Sequence, residues 1–135
     1  KFLANPKYFV KKNRNIKLHF DIFHGEGVLD KAISQLDKKN QEGFEYFVKN
    51  KKSFNRENMF FCRSKSLLNE YYKCIFNWLR NCEDVFGFNL HGYSKKRIYA
   101  FLAERFVSYW FQKNSNYRTW PIFFFDTNAN KLILK

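Results

Sequence analysis

Residues 64–87, SKSLLNEYYKCIFNWLRNCEDVFG, carry the most regular apolar pattern in the sequence. Apolar side chains recur there at intervals of three and four residues, which is the spacing of an amphipathic helix. They are Leu68, Tyr71, Tyr72, Ile75, Leu79, Cys82 and Phe86. Ser64 or Ser66 is suited to cap the start of this helix, and Gly87 is suited to stop it. The stretch therefore predicts one long helix with one apolar face, and the other elements are assigned around it.

Three further helices are predicted from the same periodicity. The longest covers about residues 95–113. Its apolar face is formed by Ile98, Leu102, Phe106, Tyr109 and Trp110. Another helix opens at residues 25–27 and ends at residues 37–40. The third is shorter, carries Phe44 on its apolar face and stops near Asn50.

Short strands are predicted in two apolar runs, Asn58–Cys62 and Ile122–Phe125. Residues 132–134 form either a frayed tail or a last strand, and weak alternation at residues 16–21 favours an extended segment. Together these patterns predict an α+β fold, mostly α, with about four helices and two or three short strands. A single domain is expected to span residues 1–135.

The composition excludes several classes of protein. A chain of 135 residues suits one domain, and 45% hydrophobic with 21% aromatic residues is too apolar for a disordered protein. No apolar run approaches the ~18 residues of a membrane span. The net charge of +13 favours polyanionic partners, although a proteome rich in Lys and Asn explains it equally well. The three cysteines have no zinc-type spacing, alone or with the three histidines, so no metal site is predicted.

The most informative position for chemistry is Arg105, which falls on or near the apolar face of the helix at residues 95–113. A buried guanidinium requires a carboxylate, phosphate or carbonyl partner. Glu104 precedes it but points about 100° away around the helix. Arg97 and Glu104 share a face about 10 Å apart, which suits two groups that flank a ligand. The alternative is that Glu104 and Arg105 pair with other helices and hold the fold together, and periodicity alone favours that structural role.

Two other positions carry polar groups suited to binding. His24 stands at a predicted helix start beside Gly25, where backbone N–H groups attract anions, although a plain capping loop is favoured there. Asn58 precedes a predicted strand, and its amide suits either a sugar hydroxyl or the end of the strand. The sequence has no signature of a P-loop, a serine hydrolase, a zinc protease or a nucleic-acid module, and no D-x-D metal–diphosphate motif.

Three motifs follow one another in an order that resembles a known family. Asn58–Cys62 (NMFFC) is followed by an aromatic helix with YY at residues 71–72 and WL at residues 78–79. Residues 97–106 then read RIYAFLAERF, with Trp110 downstream. This order resembles the C-terminal half of a bacterial family of GT-A-like glycosyltransferases, long known only as a domain of unknown function. Its members occur in gene clusters for capsule, lipopolysaccharide and O-antigen, and the resemblance covers about residues 18–125.

The resemblance implies that residues 1–135 are the acceptor-side, C-terminal part of a longer glycosyltransferase, with the fold of that half. Such an enzyme moves a sugar from a nucleotide-sugar donor to a growing capsular or lipopolysaccharide glycan. The donor is then bound mainly by an amino-terminal half, whose C-H-Y-R-R-like motif does not occur in this sequence. This part alone is expected to be inactive. The resemblance leaves open whether the enzyme retains or inverts configuration and whether it needs a metal.

The resemblance also implies roles for particular side chains. Glu104 is the catalytic candidate, as the general base that takes the proton from the acceptor hydroxyl in an inverting enzyme. Arg97 or Arg105 is expected to stabilise the leaving diphosphate. Asn58 and His24 are the other candidates for binding substrate, and no residue is assigned to a metal.

The implied acceptor is a glycan or a lipid-linked glycan. This implies a cytoplasmic protein, peripheral to the inner face of the cell membrane, where basic residues suit anionic lipids. The alternative is a non-enzymatic basic module that binds nucleic acid or another polyanion, which rests on the net charge of +13 alone. Nucleic acid is the less favoured partner because Lys and Arg do not line one helix face. Steep weakening by salt is expected only of the polyanion binder.

Overall fold

The computed structural model describes residues 14–55, 58–119, 124–129 and 131–133. Within these residues six helices follow one another and a two-stranded hairpin comes last. The helices are α1 (Ile16–His24), α2 (Val28–Ile33), α3 (Lys38–Asn50), α4 (Lys65–Phe86), α5 (Tyr93–Lys96) and α6 (Ile98–Asn114). The strands are β1 (Phe124–Asp126) and β2 (Lys131–Ile133), which pair antiparallel with Phe125 opposite Leu132.

The apolar core lies between α1, α2, α3, α4 and α6. Helix α1 packs on α2 and α3, whereas α6 packs on both α3 and α4. The rings of Phe44, Trp78 and Phe106 meet there, with centroids 4.9, 5.2 and 5.7 Å apart in the three pairs. Trp78 also donates its indole N–H to the carbonyl of Ala32 at 2.7 Å. This hydrogen bond ties α4 to α2 and leaves the buried indole satisfied.

The long helix predicted around residue 75 is confirmed as α4. Ser64 caps it by accepting the Leu67 N–H at 3.2 Å. Gly87 ends it with a φ of 66°, a backbone conformation that glycine adopts without steric cost. Tyr72, predicted on the apolar face, is 41% exposed, and Trp78 is buried in the core instead. The buried face of α4 is therefore rotated slightly around the helix axis from the apolar face that the sequence predicts.

The second long helix is confirmed as α6, and all five residues of its predicted face are buried. It begins at Ile98 rather than near residue 95, because Arg97 has φ −103° and ψ 15° and separates it from α5.

The prediction that a helix ends at residues 37–40 is wrong. Asp37 does not end a helix there but caps the start of α3, where its carboxylate accepts the Asn40 N–H at 3.1 Å.

The extended segment predicted at residues 16–21 is wrong, because α1 is a helix. Asn15 caps it by accepting the Leu18 N–H at 2.7 Å. Ile16, Phe20 and His24 are buried on one face. A spacing of four residues fits both a helix and an alternating strand, so Ile16 and Phe20 do not distinguish the two. Leu18 does distinguish them, since a strand would place it beside Ile16 and Phe20 but it is 42% exposed.

The predicted α+β fold class is wrong, because the body of the molecule is helical. Residues 58–62, predicted as a buried strand, form a turn and an irregular segment, and Phe61 is 84% exposed. Asn58 has a left-handed φ of 50°, which a strand does not allow. Strand propensity reflects packing against a neighbouring strand, and in the described residues only β1 and β2 pair. Ile122, Phe123 and Leu134 of the predicted strands lie outside the described residues.

Gly43 lies where α3 passes α6. A methyl group on Gly43 would lie 2.6 Å from the hydroxyl oxygen of Tyr109. We expect Gly43→Ala to lower the free energy of unfolding by about 1–3 kcal/mol, as overpacking does, despite the better helix propensity of alanine. Denaturation by urea measures the change.

Two further variants control this experiment. Tyr109→Phe removes the clashing oxygen together with its hydrogen bond to the Asn40 carbonyl, so Gly43→Ala should cost less stability in the Tyr109→Phe protein than in the wild type. Glu42→Ala places alanine at an exposed neighbouring position and should change stability little. A Gly43→Ala protein as stable as the wild type would contradict the close approach of the two helices.

Candidate functional site

The residues singled out from the sequence lie around the first half of α6. They are His24, Asn58, Arg97, Glu104 and Arg105. The His24 ring, at the end of α1, stacks on Phe101 with 4.1 Å between centroids. Asn58, between α3 and α4, donates its side-chain N–H to the carbonyl of Ala100 at 3.3 Å. Three separate parts of the chain therefore converge at one end of α6.

Arg105 is at the centre of this site, and the prediction that it is buried is confirmed, since it is only 2% exposed. One terminal nitrogen donates to the Glu104 carboxylate at 2.9 Å and to the Phe101 carbonyl at 3.0 Å. The guanidinium carbon lies 4.5 Å from the centre of the Phe54 ring and 5.2 Å from that of Phe20. A buried cation is tolerated only when paired and hydrogen-bonded, and these groups meet that requirement.

Two histidines complete the surroundings of Arg105. Its other terminal nitrogen lies 3.3 Å from Nδ1 of His19 and 3.5 Å from Nε2 of His24. A guanidinium can only donate hydrogen bonds, so each of these imidazole nitrogens is an unprotonated acceptor. The geometry therefore assigns the ring proton of His19 to Nε2 and that of His24 to Nδ1. Both rings are neutral in this arrangement.

The environment of His24 also disfavours its charged form. Burial, and after it the positive charge of Arg105, lower the pKa of His24 from 6.5 to about 4. The imidazole is therefore uncharged at neutral pH, in agreement with its role as an acceptor from Arg105. A protonated ring would place a second cation against the guanidinium and remove the acceptor.

The expectation that Glu104 points away from Arg105 is wrong. The two positions are about 100° apart around the helix, but both side chains are long enough to bend towards each other. The carboxylate of Glu104 is held by Arg105, and its side chain is 13% exposed. Glu104 is therefore fixed in position while one edge of it reaches the surface.

Arg97 is exposed, in contrast to Arg105. Its guanidinium carbon lies 5.0 Å from the centre of the Tyr93 ring and 5.3 Å from that of Phe101. It also donates to the Tyr93 hydroxyl. Stacking on two rings restricts the side chain and leaves the charge at the surface, where it can meet an anionic ligand.

The sequence did not predict three residues that contribute to the site: His19, Phe54 and Phe101. A signal for Phe101 was present, because Arg97, Phe101 and Arg105 are spaced four residues apart and neighbours at that spacing meet on a helix. Arg105 lies 5.8 Å from the centre of the same ring. His19 was missed because its segment was assigned as extended. Nothing local to Phe54 indicates its contact with a residue far along the chain.

The described part of the chain also contains a groove, and it shows neither a metal-binding cluster nor a helix that could span a membrane. A groove of about 920 Å³ is lined by residues 53–55 and 59–64 on one side and by residues from 107–119 on the other, at the other half of α6. Within the described ranges no three His, Cys, Asp or Glu side chains are grouped closely enough to hold a metal ion. The helices described there include none that is both long and apolar enough to cross a membrane.

The comparison with protein families places this site within one family. The model of the family described as a domain of unknown function, DUF4422, matches residues 3–115. The chain belongs to the DUF4422 family. Every candidate residue of the site lies within the matched span, and β1 and β2 lie beyond it. Among the curated proteins and the solved structures there is no significant match.

The low pKa of His24 makes the stability of the protein depend on pH. Between pH 6.5 and about 4 the unfolded chain binds a proton at His24 that the folded protein does not. The free energy of unfolding should therefore fall by about 2 kcal/mol as the pH drops through this window. In His24→Gln this contribution should vanish, while His91→Gln, at an exposed histidine, should keep the wild-type slope. Identical slopes in wild type and His24→Gln would contradict the assignment.

Because Arg105 is buried and Arg97 is exposed, replacing each arginine by lysine should change the stability of the protein by different amounts. An ammonium at residue 105 keeps the charge but cannot reach a carboxylate, a carbonyl and two imidazoles together, so Arg105→Lys should lose about 3 kcal/mol of stability. Arg97→Lys is the matched control at the surface and should lose less than about 0.5 kcal/mol. Denaturation by urea compares the two. Equal losses would show that the buried contacts contribute no more than the exposed ones.

Proposed function

We propose that this chain is the acceptor-side part of a bacterial glycosyltransferase that moves a sugar from a nucleotide-sugar donor to a growing capsular or lipopolysaccharide glycan. The order of the motifs at residues 58–62, 71–79 and 97–106 supports this proposal. The observation that carries it is the carboxylate of Glu104, which is held by the buried Arg105 and keeps a side chain that is 13% exposed. Ordered carboxylates of this kind serve as general bases.

In the proposed reaction Glu104 takes the proton from the acceptor hydroxyl as that oxygen attacks the donor sugar. A base must be held within hydrogen-bond reach of the proton it removes. The 2.9 Å contact with Arg105 fixes the carboxylate, and the neutral histidines hold Arg105 in turn. In this proposal Glu104 acts as the base of an inverting enzyme.

The two arginines have separate roles in this proposal. Arg105 is enclosed by protein groups and acts as a positioning residue for Glu104. Arg97 is the cation exposed to a ligand, and it is the group proposed to stabilise the leaving diphosphate of the donor. The nucleotide itself is proposed to bind mainly to an amino-terminal half of the enzyme.

We further propose that the acceptor is a glycan or a lipid-linked glycan, and that the protein works in the cytoplasm, peripheral to the inner face of the membrane. Phe88 and Tyr93 are 73% and 69% exposed, and the exposed Lys95 and Lys96 follow them in the chain. Aromatic rings and cations together suit the surface of an anionic bilayer.

The decisive experiment measures sugar transfer by the full-length enzyme with a panel of nucleotide-sugars. Glu104→Gln keeps the size of the side chain but removes the base, so kcat should fall at least about 100-fold. Arg97→Ala should reduce kcat by about tenfold or more, with partial recovery in Arg97→Lys. Asp84→Asn, at an exposed carboxylate on α4, is the matched control and should leave kcat unchanged.

Two outcomes would overturn the proposal. Near-normal turnover of Glu104→Gln would refute the general base. Absence of transfer by the full-length protein with every donor, together with DNA binding that weakens steeply between low and moderate salt, would instead favour the basic polyanion-binding module.

A further inference from the structure

Among the buried polar atoms that have no hydrogen-bond partner within the described part of the chain, two belong to neutral side chains of the candidate site. They are Nδ1 of His24 and Oδ1 of Asn58. His24 is 9% exposed, so its ring has almost no access to bulk water. Buried polar groups are satisfied in the great majority of cases, so one that is not requires an explanation, and a bound group is one such explanation. Neither the general base nor the arginines of the proposed reaction use these two atoms.

The hydrogen-bonding role of each atom follows from its neighbours. Nε2 of His24 faces the Arg105 guanidinium and must accept, so Nδ1 carries the proton and is a donor. The Asn58 side chain places its nitrogen 3.3 Å from the Ala100 carbonyl, which can only accept. The amide is therefore oriented with Oδ1 free to accept. One unused atom is a neutral donor, and the other is a neutral acceptor.

Both side chains contact the first turn of α6. The His24 ring stacks on Phe101, and Asn58 binds the carbonyl of the preceding residue. Asn58 also has a φ of 50°, a left-handed conformation that asparagine adopts more readily than most residues.

We infer that His24 and Asn58 bind a neutral, hydroxyl-bearing group, and that this group is the acceptor sugar, an identification that rests on the proposed function. A hydroxyl both donates and accepts, and a sugar carries several, so neighbouring hydroxyls of one sugar can serve the two unused atoms. A phosphate would place its negative charge against a neutral acceptor at Asn58, and its ionised oxygens offer that acceptor no proton. A metal ion would suit Asn58 but would meet a protonated nitrogen on His24.

The tautomer of His24 is the first test, and it needs no ligand. Long-range nitrogen–proton NMR of the full-length protein, labelled with ¹⁵N-histidine, distinguishes a proton on Nδ1 from one on Nε2. We expect His24 to be protonated on Nδ1 and His19 on Nε2. A His24 proton found on Nε2 would overturn the inference, because Nδ1 would then be an acceptor like Asn58.

The second test titrates a panel of methyl glycosides, and inorganic phosphate separately, while the His24 ring and the Asn58 amide are followed by NMR. At least one glycoside should shift both signals, and phosphate should shift neither. Asn58→Gly keeps the left-handed backbone but removes the amide, so affinity for that glycoside should fall about tenfold. Asn89→Gly, at an exposed asparagine, is the matched control and should bind normally.

The outcomes separate this inference from the proposed function. Shifts caused by phosphate alone, or by no glycoside, would overturn the hydroxyl site, whatever the transfer assay shows. Binding of a glycoside by a full-length protein that transfers no sugar would leave the site standing and refute the transferase.

Discussion

The buried guanidinium of Arg105 is the constraint on which the candidate site depends. A cation that is 2% exposed must find its partners within the protein. Its partners come from α1, from the segment after α3 and from α6 itself, so these parts must pack together for the charge to be tolerated. The same packing that satisfies Arg105 therefore brings the candidate residues to one end of α6.

Neutral histidines are a necessary part of this arrangement. One terminal nitrogen of Arg105 donates to Glu104 and a carbonyl, and the other terminal nitrogen faces His19 and His24. An imidazole can accept only while it is uncharged. The site consequently combines charged groups, among them Glu104 and Arg97, with an uncharged ring where His24 meets Phe101.

The sequence predicts those features of the fold that depend on local periodicity and capping. Helices α4 and α6 could be predicted because their apolar faces repeat over several turns and α4 has a suitable cap and stop. Helix α1 could not, because its apolar spacing of four residues fits two periods. The strand expected at residues 58–62 failed because strand preference depends on a neighbouring strand. Burial of Arg105 followed from its helical position, whereas its histidine partners depend on tertiary packing.

Phe101 shows how the exposed and buried halves of the site are mechanically connected. Arg97 and Arg105 stand one turn before and one turn after it on the same face, and both lie against its ring. His24 stacks on the ring as well. A shift of Phe101 would therefore disturb the surface cation, the buried cation and the neutral donor together. Because dense packing resists small independent movements, ligand contacts at Arg97 and at His24 should be energetically coupled through this one ring.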